Sequence, residues 1–362
     1  MNLFERIKKE GGIFIDEGVL APDYVPTDIF HREKEIREIG FCLRGIAEGK
    51  KGENAIVTGP PGTGKTTCAK HVLAHLREYT KRVVPVYINC WEFSSSYAVL
   101  GEIANKMGEI LPRRGIAPDE IKDRILQCAR RERVGVALVL DEVDRLIVAG
   151  EGGILYELAR FGEDHGVNFS LVLIANSRSI FANLDERIRS SLSSRSIEFS
   201  PYSPQQLKEI LGYRAKRAFF PGVLSDEVIP MCAGIGAKNG GDARIALSVL
   251  LGAGKEAEME GNRKVEPRHV TKAKEKILMG ISKRKIFSLN KELQRVFEAV
   301  ENAGGQIETK ELYKRLDAVD ENEKRVVRKR LAKLEKLGFL ESLMVRSGSE
   351  KKRIIKMRAS ST

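Results

Sequence analysis

Eight consecutive residues, Gly59-Pro60-Pro61-Gly62-Thr63-Gly64-Lys65-Thr66, restrict what this chain can fold into more than any other feature. They fit the spacing G-x-x-x-x-G-K-[ST]. Glycines let backbone N–H groups close around phosphate oxygens, the lysine reaches the terminal phosphates, and the hydroxyl takes a place on Mg²⁺. Such a loop belongs between a strand and a helix. Ala55 to Thr58 reads as the strand, and Thr67 to Leu76 reads as a helix whose N-terminus favours an anion.

That unit sets the fold class of its surroundings. Val83 to Asn89, Val136 to Leu140 and Ser170 to Ala175 are further short apolar runs, separated by longer stretches with helical periodicity. The alternation predicts an α/β domain with a parallel sheet over residues 1–200. Val136 to Leu140 runs directly into Asp141-Glu142-Val143-Asp144, which puts carboxylates at a C-terminal strand end, where parallel sheets carry their sites. Asp141 is then expected to hold the Mg²⁺ shell and Glu142 to polarise the attacking water.

Residues 201–281 lose the strand pattern and predict a small helical lid, with helix starts at Ser203-Pro204, Ser225-Asp226-Glu227 and Gly241-Asp242-Ala243. Residues 282–362 follow the basic stretch Lys283-Arg284-Lys285 and predict a winged helix-turn-helix. Leu289, Leu293, Val296, Phe297 and Val300 mark its first helix, Glu308 to Leu316 its second, and Asn322 to Leu337 its third, stopped by Gly338. Phe339 to Val345 and Arg353 to Met357 are its strands, on either side of a turn at Ser347-Gly348-Ser349.

With 362 residues there is room for two or three domains, and 42% hydrophobic with 31% charged residues describes a soluble globular chain. Apolar runs such as Val136 to Leu140 are far short of the roughly 20 residues of a membrane helix. Met1 to Arg6 carries no apolar secretion-signal core, so a cytoplasmic location with no membrane partner is expected. Cys42, Cys68, Cys90, Cys128 and Cys232 are too scattered for a zinc site or disulfide framework. The formal net charge is +12 and favours a polyanionic partner. Residues 283–362 hold 21 Lys and Arg against 12 Asp and Glu, so nine of those charges lie there.

The phosphate loop, the acidic strand end, the helical lid and the basic tail together resemble the AAA+ ATPases. Within them the chain resembles the archaeal origin-recognition and cell-division-control type replication initiators. Phe14-Ile15-Asp16, Leu20 to Pro26 and His31-Arg32-Glu33 resemble the N-terminal segment of that family. The resemblance implies that Tyr24, Val25, Pro26 and Arg32 join Gly59 to Thr66 and Thr67 around ATP or ADP. Gly240 to Leu247 resembles the sensor-2 helix, implying that Arg244 closes on the γ-phosphate, and Asn176 falls at the sensor-1 position. Tyr202 and Ile210 fall where the family packs the base, with plain core packing as the alternative. In the helix Glu186 to Leu192 this chain reads Ser190-Ser191 where eukaryotic relatives tend to carry Ser-Arg. Arg189, then Arg187, are its candidates for an arginine offered to a neighbouring subunit.

The implied partners are double-stranded origin DNA, a replicative helicase of the minichromosome maintenance type, and a second copy or paralogue on DNA. A nucleoid-associated place in an archaeal cytoplasm goes with them. Arg325, Arg328, Lys329 and Lys333 on the last helix, with Arg346, Lys351, Lys352 and Arg353 on the wing, are the candidate DNA contacts, the alternative being a solvated basic face. Trp91 to Tyr97 lies in the family's extra-helix region, where its aromatics either touch DNA or cover core. The resemblance implies an initiator that hydrolyses ATP slowly, as a switch. An AAA+ DNA motor or clamp-loader-like ATPase, and a nucleotide-regulated transcriptional regulator, stay open beside it.

Overall fold

The computed structural model describes residues 12–112, 115–161, 166–192, 195–287, 291–336, 339–347 and 350–357. The chain divides into two compact units, Met1–Val270 and Thr271–Thr362.

In the first unit the elements are α1 (Glu33–Ala47), β1 (Ala55–Thr58), α2 (Lys65–Tyr79), β2 (Val83–Asn89), α3 (Ser96–Lys106), α4 (Pro118–Glu132), β3 (Gly135–Asp141), α5 (Asp144–Val148), α6 (Gly153–Ala159), β4 (Phe169–Ala175), α7 (Glu186–Ser191) and β5 (Arg195–Glu198). The strands form a sheet in the order β2-β3-β4-β1-β5, every neighbouring pair parallel. Alternate side chains leave opposite faces of a strand, and both faces here are apolar. Leu138, Leu140, Leu171 and Leu173 pack with α3 to α6 on one face. Ala137, Val139, Val172 and Ile174 pack with α1 and α2 on the other. That doubled burial is why β4 is buried along its whole length.

The register brings the site together. Thr58 pairs with Ala175 and with Glu198, while Asn89 pairs with Asp141. The end of β1, which feeds the phosphate loop, therefore lies one strand away from the end of β3, with β4 between them.

The lid consists of α8 (Pro204–Ala218), α9 (Val228–Lys238) and α10 (Ala243–Met259). Ser203 and Gln206 form a reciprocal capping box at α8, with Pro204 at the first helical position. Asp242 caps α10 by accepting from the N–H groups of Arg244 and Ile245. Helix α11 (Pro267–Phe287) follows.

The second unit is a winged helix. It contains α12 (Lys291–Glu301), β6 (Gln306–Glu308), α13 (Thr309–Arg315), α14 (Glu321–Lys336), β7 (Leu340–Ser347) and β8 (Glu350–Met357). Its core gathers Leu293, Val296, Phe297 and Val300 of α12 with Val327, Leu331 and Leu334 of α14. The sheet has three strands, β6-β8-β7, rather than the two expected. Gln306–Glu308 is too short to show a period in sequence, and pairing with β8 makes it a strand. Leu289, Leu337, Gly338, Gly348 and Ser349, named above as helix and turn markers, lie outside the described residues, as do the side chains of Lys283, Arg284 and Lys285.

All five cysteines are free and buried, and burial holds their thiols protonated. Among the described residues no helix is long and apolar enough to cross a membrane.

Candidate functional site

The phosphate loop is shaped by two glycines at which any other residue would be strained. Gly62 has φ +74°, and a Cβ there would lie 1.7 Å from Asp242 Oδ1 of the lid. Gly64 has φ +93° and lies against the Tyr202 hydroxyl, 2.8 Å from where a Cβ would be. Both positions need a left-handed backbone as well as the missing side chain. The loop opens onto the first turn of α2, whose leading N–H groups have no helical acceptor. Lys65 is buried there and donates from Nζ to Gly59 O at 2.6 Å and Pro60 O at 2.9 Å. Thr63 Oγ1 braces the turn by donating to Pro60 O at 2.8 Å.

Across the sheet, Thr66 Oγ1 donates to Asp141 Oδ2 at 2.6 Å. Tyr87, unnoticed in the sequence, donates its hydroxyl to the same oxygen at 2.8 Å, and Glu142 N donates to Oδ1 at 2.9 Å. Burial and then the Asp141 charge push the Tyr87 phenol far up, so it stays a donor. Glu142 has φ +56°, a left-handed backbone that is uncommon for a side chain of its size. Burial, then the neighbouring Asp141, raises the Glu142 carboxyl above its ordinary value.

Arg244 supplies the lid's contribution. Its backbone N–H is held by Asp242 Oδ1 at 2.7 Å, and Ala243 N donates to Gly62 O at 3.1 Å, so α10 begins directly on the phosphate loop. The Arg244 charge is felt at both Lys65 and Glu142. Burial first, and then Arg244, lower the Lys65 ammonium to about 8. A bound polyphosphate favours the charged amine and raises that value, so binding takes up a proton at higher pH. The Kd for ADP is accordingly expected to be flat below pH ~8 and to rise toward about tenfold per pH unit above it. A titration series from pH 7 to 10 reads this directly, and a flat profile would take Lys65 off the phosphates.

Several of these groups line a cavity of about 300 Å³. Gly62, Gly64, Thr66, Thr67, Asp141, Glu142 and Arg244 line it together with Tyr24, Val25, Pro26, Tyr202, Ile210 and Leu247. Lys70, Asn89, Tyr213 and Arg214 also line it and were not anticipated. The signal for Lys70 was its place one helical turn after Thr66.

Of the expected residues, Gly59, Pro60, Pro61, Thr63 and Lys65 do not line that cavity, nor do Arg32, Asn176 and Arg189, the last of which is expected toward a neighbouring subunit. Arg32 is buried behind the loop, donating from Nε to Thr63 O at 3.0 Å and from Nη2 to Ser200 O at 2.5 Å, with its guanidinium 4.0 Å from the Tyr202 ring centre. It clasps the phosphate loop from outside the cavity lining, because these acceptors already hold its donors. Asn176 directly follows β4, and its N–H donates to Asp144 Oδ2 at 3.0 Å, but its side chain does not line the cavity. Arg189, on the exposed side of α7, lines a separate depression with Arg178 and Phe181. Trp91 is exposed beside Arg145, whereas Phe93 packs on the core.

The donor set suits a hard cation. A threonine hydroxyl and an aspartate carboxylate oxygen, 2.6 Å apart, are oxygen ligands of the kind Mg²⁺ takes when phosphates complete its shell. Among the described residues no cluster of three His, Cys, Asp or Glu could hold a metal unaided.

In the winged helix the candidate DNA side chains separate into two sets. Arg328 pairs with Glu321 at 2.8 Å, Lys352 with Glu308 at 3.1 Å and Arg353 with Glu335 at 3.1 Å. Arg325, Lys329 and Lys333 are exposed along one side of α14. The side chains of Arg346 and Lys351 lie outside the described residues.

Comparison with known proteins agrees with this geometry. The Cdc6 AAA+ ATPase-type lid domain matches residues 208–275, and an AAA domain matches residues 49–182. The ORC1-type DNA replication protein of Pyrococcus abyssi is 38% identical over 284 residues, 76% of this chain and 68% of that one. Its counterpart from Aeropyrum pernix is 38% identical over 275 residues, 74% of this chain and 70% of that one. The solved Aeropyrum pernix ORC1 protein in complex with DNA superposes with a TM-score of 0.76 at 33% identity, covering 96% of this chain and 94% of that one. With an AAA+ nucleotide cavity, a Cdc6-type lid and a winged helix, this chain belongs to the family of ORC1-type DNA replication proteins.

Proposed function

We propose that the chain is an ATP-dependent initiator of DNA replication, which binds origin duplex and helps recruit or load a replicative helicase of the minichromosome maintenance type. The observation that carries the switch is the start of α10 on the phosphate loop, where Ala243 N meets Gly62 O at 3.1 Å and Arg244 enters the cavity. A γ-phosphate would bond Lys65 and Arg244 together, so its presence sets how firmly the lid is held. Mg²⁺ held by Thr66 and Asp141 would supply charge neutralisation at the β- and γ-phosphates. Glu142 orients and polarises the water, and Asn176 at the end of β4 would sense the phosphate from the other side. Hydrolysis is slow and resets the switch, a reading that rests on Ser190-Ser191 standing where eukaryotic relatives tend to carry Ser-Arg. Arg189 is the residue offered to a neighbouring subunit or paralogue.

DNA binding is supported by the complex solved for the Aeropyrum pernix relative and by the basic winged helix. Arg325, Lys329 and Lys333 present their charges along α14, while Arg328 and the wing residues Lys352 and Arg353 are engaged by carboxylates that phosphate would have to displace. Replacing Arg325 and Lys329 together by alanine is expected to weaken duplex binding about tenfold. It should also flatten the slope of log K against log salt by about 1.8, at 0.9 per phosphate contact. Anisotropy titrations at several salt concentrations measure both, and an unchanged slope would place the DNA surface elsewhere. Footprinting on origin against promoter fragments separates an initiator from a transcriptional regulator.

A further inference from the structure

Part of the cavity lining comes from a strap that precedes α1, through Tyr24, Val25, Pro26 and Phe30. This strap is held by the lid. Ile15 N and Asp16 N both donate to Ala218 O, at 2.8 and 3.3 Å, and Phe220 N donates to Ile13 O at 3.1 Å. Phe14 packs on Phe219 with ring centres 4.7 Å apart, and Ile13 N donates to Glu258 Oε1 at 3.0 Å. Further along, Tyr213 Oη donates to Asp28 Oδ2 at 2.5 Å, and Phe30 meets the Tyr213 ring edge-on at 4.8 Å. At Arg32 the chain turns to the sheet domain through the bonds to Thr63 and Ser200.

Between these anchors stands Tyr24, and the group that holds it is unusual. Arg214 of α8 is 5% exposed and lies in the cavity lining. Its guanidinium carbon is 4.5 Å from the Tyr24 ring centre, and Nη2 donates to Tyr24 O at 3.4 Å. Nη1 is shielded from solvent and finds no acceptor among the described residues. No carboxylate among those residues pairs with it, and burial pulls its pKa below the usual guanidinium value. A buried cation held only by a ring face and one long bond to a carbonyl is costly to keep for stability alone.

We propose that Arg214 is a positioning residue for nucleotide binding. It fixes the Tyr24-Val25-Pro26 wall at the base end of the cavity and makes that wall part of the lid. The inference rests on the nucleotide site proposed above. The base end is assigned because Val25, Pro26, Ile210 and Leu247 give it an apolar lining, while the phosphate groups are gathered at the loop. One consequence follows for release. Opening of the lid withdraws the base wall and Arg244 together, so a bound nucleotide is left to the phosphate loop alone.

The test compares ADP with pyrophosphate, which has no base to be covered, on the full chain. Arg214→Met is expected to weaken ADP about tenfold, chiefly through faster dissociation, the size of one hydrogen bond to a charged group. Pyrophosphate, measured by competition, should change by less than about twofold. Arg214→Lys keeps the charge without the flat fork and is expected to recover less than half of the loss. If Arg214→Met does not fold, Arg214→Lys carries the same comparison. Equal losses for ADP and pyrophosphate, or no loss for ADP, would overturn the proposal. A wild-type protein that binds neither ligand would instead overturn the nucleotide site itself.

Discussion

Replacing Lys65 by alanine is expected to remove measurable nucleotide binding, raising the Kd for ATP at least about 100-fold. Two charge-assisted bonds to phosphate oxygens account for that size, each contributing about 1.5–3 kcal/mol. Lys65 is almost wholly enclosed at the loop, which puts its positive charge where little water can screen it. Its Nζ bridges Gly59 O and Pro60 O, so the amine is held within the loop itself. The alanine also frees two carbonyls, and so the loop loses a brace as well as a cation. Lys65→Arg separates these effects, since it keeps the charge but cannot fit the same enclosure. Isothermal titration of ATP into each variant decides the matter, and an alanine protein that binds ATP as tightly as the wild type would remove Lys65 from the site.

How much of this was legible in the sequence depended on the range of the interaction. Gly59 to Thr66 and Asp141-Glu142 are contiguous, and local spacing alone implied both a strand–loop–helix and an acidic strand end. Tyr87 was invisible because it reaches Asp141 only through the pairing of β2 with β3. Arg214 was hidden for a similar reason: it sits 190 residues from Tyr24 in a helix whose apolar pattern explains its neighbours Leu211 and Ala215 but not itself. Arg32 was expected around the nucleotide, but its direction is set by Thr63 O and Ser200 O, and backbone acceptors leave no mark in a sequence. The short strands β5 and β6 likewise exist through pairing, with β1 and β8 respectively. The lid was legible as helices, but its attachment to the strap and to Gly62 was not.

Glu142→Gln is the sharpest probe of what the site does once nucleotide is bound. Glutamine has the same shape, so it can adopt the same φ of +56° at the same cost and keep its N–H bond to Asp141 Oδ1. Burial and Asp141 both work against a negative charge at position 142. Removing that charge relieves a repulsion toward Asp141 and toward a triphosphate, so ATP affinity should hold or rise slightly. Hydrolysis should fall by about 100-fold or more, the usual contribution of a positioned base. In the wild type, the raised carboxyl value predicts that hydrolysis is lost on acidification at a higher pH than an ordinary glutamate would give, because the protonated acid cannot polarise water. Single-turnover hydrolysis with pre-bound ATP measures both effects without interference from release. Rapid turnover by the glutamine protein would remove Glu142 from the reaction. A loss that follows ATP affinity, rather than the chemical step, would make Glu142 a binding residue.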